Sequence, residues 1–141
     1  MSDFPSHIGQ WIDIPDFVDE RGNLFVIEGT KHIPFPIKRV YWMKDVPITA
    51  SRGGQCHKRL CQVLVPIQGS FVVELDDGET VATYTMDNPH KGLLIEPHIW
   101  RTLYGFSDDA ICLVIASELY DHEDMINDYS VFKKQVHEGA Y

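Results

Sequence analysis

Short apolar runs, broken at close intervals by glycine and proline, dominate the chain between residues 22 and 117. Breaks such as Gly53-Gly54, Gly69 and Gly105 leave too little room for helices of ordinary length, but they fit strands of about five to six residues. The runs are rich in branched and aromatic residues, which strands favour. They predict strands in the ranges 24–27, 37–43, 60–67, 70–75, 80–85, 92–96 and 110–117.

A turn and one helix complete the predicted architecture. Asp76-Asp77-Gly78 separates two of the runs, and Asp-Gly tolerates the positive φ of a tight hairpin. The pattern then changes to steps of three and four residues over 121–137, the period of an amphipathic helix, at Met125, Ile126, Tyr129, Phe132 and Val136. The whole predicts one mostly β domain over residues 1–141, a sandwich or small barrel with a short C-terminal helix.

Charge and composition narrow the possible partners. The 141 residues are 44% hydrophobic and 23% charged, a balance typical of a globular protein. Asp and Glu number 21 against 12 Lys and Arg, which gives a net charge of −9. That charge repels phosphate backbones and anionic lipid, so we expect neither nucleic-acid nor membrane binding. A small anionic ligand remains possible where arginine and lysine cluster.

The cysteines and the N-terminus predict the compartment. Cys56, Cys61 and Cys112 are an odd number without CxxC spacing, so neither a disulfide framework nor a zinc ribbon is expected. Residues 1–6 lack the basic and apolar regions of a signal peptide, and no apolar run approaches the ~20 residues of a membrane span. We therefore expect a cytoplasmic location.

A polar segment, 52–62, carries the chemistry. Alternation along a strand places Gln55 and His57 on one face and turns Cys56 away from it. A second segment, 92–101, consists of a strand and a proline turn, and it delivers Trp100 and Arg101 to a rim.

Here the chain resembles the cupins, small all-β jelly-roll barrels whose two motifs supply metal ligands. The resemblance puts the four ligand positions at Gln55, His57, Gln62 and Arg101. A guanidinium has no lone pair to donate, and two amides with one imidazole are a poor ligand set for a transition metal. We therefore expect no metal.

A narrower resemblance runs from about Asp19 to Phe132. Its motifs fall in one order along the chain: Arg52-Gly53, His57-Lys58, Gln62-Val63-Leu64, Gly69-Ser70, Leu75-Asp76-Asp77-Gly78, Pro97, Trp100, Tyr120-Asp121, Asp124 and Tyr129. They are similar to those of the cupin sugar 3,4-ketoisomerases that act on dTDP-4-keto-6-deoxyglucose, the FdtA and QdtA type, also called WxcM-like.

The resemblance implies an all-β cupin jelly-roll barrel with a short C-terminal helix. It also implies an isomerase, without metal or other cofactor, that moves a keto group from C4 to C3 of a dTDP-linked 4-keto-6-deoxyhexose. The product of such an enzyme feeds 3-amino-3,6-dideoxysugar synthesis for bacterial surface polysaccharides. Members of the family form homodimers that exchange N-terminal strands.

Site residues follow from this chemistry. His57 occupies the family's second motif histidine, and an imidazole can take and return a proton near neutrality. Arg52, Gln55, Gln62 and Arg101 can stabilise an enediolate, and Tyr41 can relay a proton or bind a hydroxyl. The remaining candidates bind the nucleotide: Arg21, Arg39 and Lys58 at the diphosphate, and Trp100 at the thymine.

One departure from the family pattern leaves alternatives open. Gln55 stands where the family usually has a histidine, and an amide cannot transfer a proton at physiological pH. One alternative is therefore a cupin that binds a nucleotide sugar without catalysis. A less favoured one is a dTDP-sugar epimerase, which uses a paired histidine and aspartate; no such pair is evident in the sequence.

Overall fold

Two five-stranded antiparallel sheets pack face to face in the computed structural model, which describes residues 8–139. The strands in chain order are β1 (Gln10–Asp13), β2 (Asp16–Asp19), β3 (Gly22–Phe25), β4 (Arg39–Lys44), β5 (Ser51–His57), β6 (Gln62–Gln68), β7 (Phe71–Asp76), β8 (Val81–Met86), β9 (Lys91–Ile95), β10 (Trp100–Tyr104), β11 (Ile111–Ala116) and β12 (Met125–Ile126). The first sheet has the order β1-β9-β6-β11-β4 and the second β12-β5-β10-β7-β8, while β2 and β3 form a separate ribbon. The predicted class, an all-β cupin jelly roll with a short C-terminal helix, is confirmed.

Alternating side chains fill the space between the two sheets. Along β7, Phe71, Val73 and Leu75 are fully buried. They pack in one cluster with Leu93 of β9 and Val114 of β11. The period of two in the sequence therefore separates the core face of each strand from its outer face.

A second apolar cluster covers the outer face of the first sheet. Ile33 and Phe35, from the segment before β4, pack against Val63, Val65 and Ile115 of β6 and β11. Both faces of β6 and β11 are thus buried, which explains why these two strands read as almost continuous apolar runs.

The C-terminal helix begins later than the sequence period predicts. His122–Asp124 forms a 3-10 turn capped by Asp121, and Met125–Ile126 pairs with the end of β5 as β12. The helix α1 is Tyr129–His137, and its N-cap Asp128 accepts hydrogen bonds through its side chain from the amides of Ser130 and Val131. No helix of the described residues is long and apolar enough to cross a membrane.

The helix closes the outer face of the second sheet. Phe132 is fully buried and packs with Cys56 of β5, Trp100 of β10 and Ile126 of β12. Three strands that carry or flank the polar segment are therefore fixed by one side chain.

Replacing Phe132 tests whether its packing stabilises these strands. We expect Phe132→Ala to lower the free energy of unfolding by about 3–5 kcal/mol, since it leaves a cavity under the helix. Urea unfolding followed by circular dichroism measures the change. Val131→Ala, at a 41% exposed position on the same helix, is the matched control and should change stability little. Equal effects of the two substitutions would contradict a specific stabilising role of Phe132.

Candidate active site

The polar segment reaches the interior through a distorted strand pair. Arg101 of β10 lies opposite Gln55 of β5, and the register shifts between Arg101 and Thr102. Gly53 has φ of +84°, and a Cβ there would lie 2.7 Å from the Arg101 carbonyl oxygen. Only glycine fits both the positive φ and this close approach, so the bulge aims Gln55 and Arg101 at the same space.

A cavity of about 320 Å³ lies between the sheets at this point. Its wall contains five of the predicted site residues, Tyr41, Arg52, Gln55, Gln62 and Arg101, and it is completed by Met43, Ser51, Gly53, Leu64, Leu103 and Val114. The volume is at the lower end of that of small-molecule sites, roughly 300–1,000 Å³. The cavity can therefore hold a sugar ring.

Arg101 is the most buried charged group of this wall. Only 1% of it is exposed, so it does not lie at an open rim as the sequence predicts. Its Nη1 donates to Gln62 Oε1 at 2.7 Å and its Nη2 to the Ile99 carbonyl oxygen at 2.8 Å. Both acceptors are neutral, and its Nε has no hydrogen-bond partner within residues 8–139. Burial lowers the pKa of Arg101 to about 10, so the group stays a cation at neutral pH.

A chain of polar contacts runs from Arg101 to the opposite sheet. Gln62 receives the Arg101 hydrogen bond through its oxygen and approaches the Tyr41 hydroxyl with Nε2 at 3.4 Å. Arg39, two residues before Tyr41 on β4, places its guanidinium carbon 5.1 Å from the Tyr41 ring centroid and 5.6 Å from that of Tyr120. These distances are typical of cation–π contacts, so a second arginine is held beside the cavity wall.

His57 lies behind Gln55 and does not itself line the cavity. It is 4% exposed, and its Nε2 is 3.3 Å from Gln55 Nε2. Burial, and secondarily the positive charge of Arg101, lower the pKa of His57 to about 4. The imidazole is therefore neutral at physiological pH, with a lone pair available on one ring nitrogen.

The other ring nitrogen faces the carboxylate of Asp124, a contact that the sequence did not reveal. His57 Nδ1 lies 3.5 Å from Asp124 Oδ2, and both side chains are buried. A histidine–aspartate pair, which was not evident in the sequence, is therefore present in the structure. Asp124 follows His57 by more than sixty residues and reaches it only because β12 pairs with β5, so no local spacing could have indicated the contact.

Three other predicted site residues are not brought to the cavity. Arg21 lies exposed at the turn of the β2–β3 ribbon and pairs with Asp19. Lys58 is exposed and donates to the Glu123 carbonyl oxygen. Trp100 packs beneath α1, with its ring 5.7 Å from that of Phe132. Alternation explains the last placement, since the side chain next to inward-facing Arg101 must point outward.

Comparison with known proteins identifies the family. Residues 8–137 match the family model described as FdtA, "WxcM-like, C-terminal". The chain belongs to the FdtA family. It is 43% identical over 125 residues to a TDP-4-oxo-6-deoxy-α-D-glucose-3,4-oxoisomerase from Aneurinibacillus thermoaerophilus, and the match covers 89% of this chain and 90% of the relative. The family predicted from the motifs is therefore confirmed.

Solved structures agree with this assignment to the FdtA family. The sugar 3,4-ketoisomerase QdtA from Thermoanaerobacterium thermosaccharolyticum, in complex with TDP, superposes with a TM-score of 0.91 at 34% identity, over 96% of this chain and 98% of that one. A 3,4-ketoisomerase from Helicobacter canadensis gives a TM-score of 0.89 at 36% identity, over 92% and 97% of the two chains.

The lowered pKa of His57 predicts a pH-dependent stability. An unfolded histidine titrates near 6.5 and the folded one near 4, so the unfolded state binds a proton first as the pH falls. The stabilising difference is present above pH 6.5 and is lost between about 6.5 and about 4. It amounts to roughly 3 kcal/mol.

Urea unfolding of the wild type and of His57→Gln over this pH range measures the effect. We expect the wild type to lose more stability than the variant on acidification, because only the wild type carries this titration. Parallel pH profiles of the two proteins would show that His57 is not held neutral.

Proposed function

We propose that the protein is a TDP-4-keto-6-deoxyhexose 3,4-ketoisomerase that works by acid–base proton transfer at His57. The observation that carries the mechanism is a buried guanidinium in the wall of one sugar-sized cavity, with a buried neutral imidazole directly behind Gln55 of the same wall. The names of the similar proteins support the substrate class, since they act on TDP-linked keto sugars or bind TDP.

The reaction needs one base that can also act as an acid. His57 Nε2 removes the proton from C3, and the C4 carbonyl becomes an enediolate oxygen. The protonated imidazole then returns the proton to C4. The hydroxyl proton moves from O3 to O4, and C3 becomes the ketone. The substrate and product are isomers, so no oxidant or reductant is consumed.

Arg101 stabilises the negative charge that develops between these steps. Its guanidinium is buried, already positioned by Gln62 and Ile99, and paired only with neutral acceptors. A fixed, buried cation stabilises an oxyanion without reorganisation. Arg52, at the same cavity wall, can add a second donor.

Gln55 and Tyr41 take supporting roles. The Gln55 amide is within 3.3 Å of His57 Nε2, so the substrate has to turn this amide aside before the base can reach C3. The amide is then free to donate to a sugar oxygen. Tyr41, which lines the cavity opposite, can carry the hydroxyl proton from O3 towards O4.

The nucleotide part of the substrate calls for cations outside the sugar cavity. Arg39 and Lys58 are candidates for the diphosphate, because guanidinium and ammonium groups bind phosphate oxygens well. Such a cluster has to overcome the net charge of −9. Trp100 is buried beneath α1, so a thymine contact there would require the helix to move, and we do not include it in the site.

We also propose that the chain, as one domain, forms a cytoplasmic homodimer by exchange of N-terminal strands. Large apolar side chains of the β2–β3 ribbon are exposed, Phe17 and Leu24 each by 63%, and so are Val40 and Trp42 on the open edge strand β4. An exposed apolar ribbon beside an open strand edge favours pairing with a second copy. Exchange would carry Arg21, on the same ribbon, towards the partner.

Isotope exchange tests the activity. The protein is incubated with TDP-4-keto-6-deoxyglucose in D₂O, and deuterium at C3 and C4 is followed by NMR. We expect exchange and conversion to the 3-keto sugar, with the rate lowered roughly 10²–10⁴-fold in His57→Gln, because the proton carrier is lost. His137→Gln, at an exposed position at the end of α1, is the matched control and should keep the wild-type rate.

The same experiment separates the alternatives. Tight binding without exchange would replace the isomerase by a nucleotide-sugar binding protein, and deuterium at C5 would indicate an epimerase. Activity that is lost on treatment with EDTA and restored by a divalent ion would contradict the metal-independent mechanism. Among the described residues, no group of three or more His, Cys, Asp or Glu side chains is placed to hold a metal.

Replacing Arg101 tests its electrostatic role. We expect Arg101→Met to lower kcat by about 10²–10³-fold, since the enediolate loses its cation. We also expect the pKa of His57 to rise from about 4, because the positive charge of Arg101 is one of the causes that lower it. The acid limb of kcat/KM against pH, and an NMR titration of the imidazole, measure that rise. An unchanged His57 titration would contradict the proposed coupling.

A further inference from the structure

Asp124 is held in place by several hydrogen bonds from one segment. Three consecutive main-chain amides after β5 donate to this one residue: Lys58 N to its carbonyl oxygen at 2.9 Å, Arg59 N to Oδ1 at 2.9 Å, and Leu60 N to Oδ2 at 3.2 Å. Arg59 Nε adds a further bond to Oδ1 at 3.1 Å. The carboxylate is 3% exposed, so its direction is set by backbone that cannot rotate away.

The two neighbours of the His57 ring agree on one tautomer. An amide nitrogen can only donate, so the contact from Gln55 Nε2 requires an unprotonated His57 Nε2. The carboxylate of Asp124 can only accept, so its contact requires a proton on Nδ1. Together they place the single ring proton on Nδ1 and leave the lone pair of Nε2 directed towards the cavity wall.

We propose that Asp124 is a positioning residue of the isomerase, which fixes the Nδ1-protonated tautomer of His57 and stabilises the imidazolium formed after proton abstraction. The inference rests on the proposed function, in which His57 Nε2 is the base. Asp124 touches neither the cavity nor the reacting atoms and acts only through the ring.

The need for such a carboxylate follows from the local charge. Once His57 has taken the C3 proton, it carries a positive charge that is buried and close to the cation of Arg101. Arg39 adds to the repulsion, whereas Asp124 is the acidic group that opposes it. The 3.5 Å contact between Nδ1 and Asp124 Oδ2 is not a formed hydrogen bond in the resting state, since Nδ1 has no hydrogen-bond partner among the described residues, but it can shorten when the ring becomes charged. The carboxylate thus favours the intermediate over the resting state.

Asp124→Asn removes both effects. If the new amide nitrogen faces His57, it donates to Nδ1 and drives the ring proton to Nε2, where the base lone pair is lost. If the oxygen faces His57 instead, the nitrogen opposes the donors of Arg59. We expect kcat to fall at least about 100-fold with a much smaller change in KM, as for other second-layer carboxylates that orient a histidine.

Asp121→Asn is the matched control. Asp121 caps the same 3-10 turn and pairs with Arg59 at 2.7 Å, but it makes no contact with His57. We expect this variant to keep the wild-type kcat. A comparable loss in both variants would mean that the turn as a whole is required and would overturn the specific role of Asp124.

The tautomer is measured directly and needs no substrate. In the wild-type protein labelled with ¹⁵N-histidine, we expect a pyrrole-type shift for His57 Nδ1 and a pyridine-type shift for Nε2 at neutral pH. Since this measurement uses the wild type, it stands even if Asp124→Asn does not fold. The opposite assignment would overturn the proposal.

The isomerase function and the positioning role of Asp124 can be contradicted separately. If the wild type shows the expected tautomer but exchanges no deuterium into the sugar, the proposed function fails and the positioning argument loses its reaction. If the wild type isomerises the sugar while folded Asp124→Asn keeps its kcat and tautomer, Asp124 is only an anchor of the turn and the proposal fails alone.

Discussion

The burial of the Arg101 cation is the constraint on which the site depends. Moving a guanidinium out of water costs several kcal/mol unless other groups compensate, and here the partners are an amide oxygen and a main-chain carbonyl. The guanidinium stays buried because β10 is a central strand, paired on one side with β5 and on the other with β7. Arg101 therefore cannot swing out to solvent without breaking the sheet.

This buried charge organises its neighbours. It orients Gln62, which leads to Tyr41 on the opposite sheet, and it helps to keep His57 neutral. The effect depends on burial. In water, solvent would screen the repulsion between Arg101 and a protonated His57, and the pKa of the imidazole would not be lowered in this way. In the proposed reaction, the enediolate brings a negative charge to Arg101, whose hydrogen-bond partners are neutral, so binding and chemistry depend on the same guanidinium.

The sequence predicted most of the fold and part of the site, for reasons that particular residues make clear. Strands β7, β8 and β9 and the hairpin at Asp77-Gly78 follow from local alternation and turn chemistry, which need no distant partner. The start of the helix was missed because Met125 and Ile126 have a helical spacing but pair with β5. A contact between distant segments decided their conformation, and spacing alone could not show it.

The same limit separates the site residues that were found from those that were not. Gln55, Gln62 and Arg101 come from two segments whose motifs could be recognised, and they meet because β5 and β10 pair and β6 faces them. Asp124 was recognised as a family motif residue of the tail, but the sequence assigned it no partner and no role in the site. Its contact with His57 depends on the register of a two-residue strand.

The single imidazole leads to one last consequence for the chemistry. C3 and C4 of the sugar are directly bonded, so one base can serve both carbons only from the same face of the ring. In the proposed reaction the proton that leaves C3 and the proton that reaches C4 therefore use one side of the sugar. The Gln55 amide covers His57 Nε2 until the substrate arrives. In the proposed reaction the base is therefore exposed only when a sugar displaces this amide, so that β5, which carries both residues, couples binding to proton transfer.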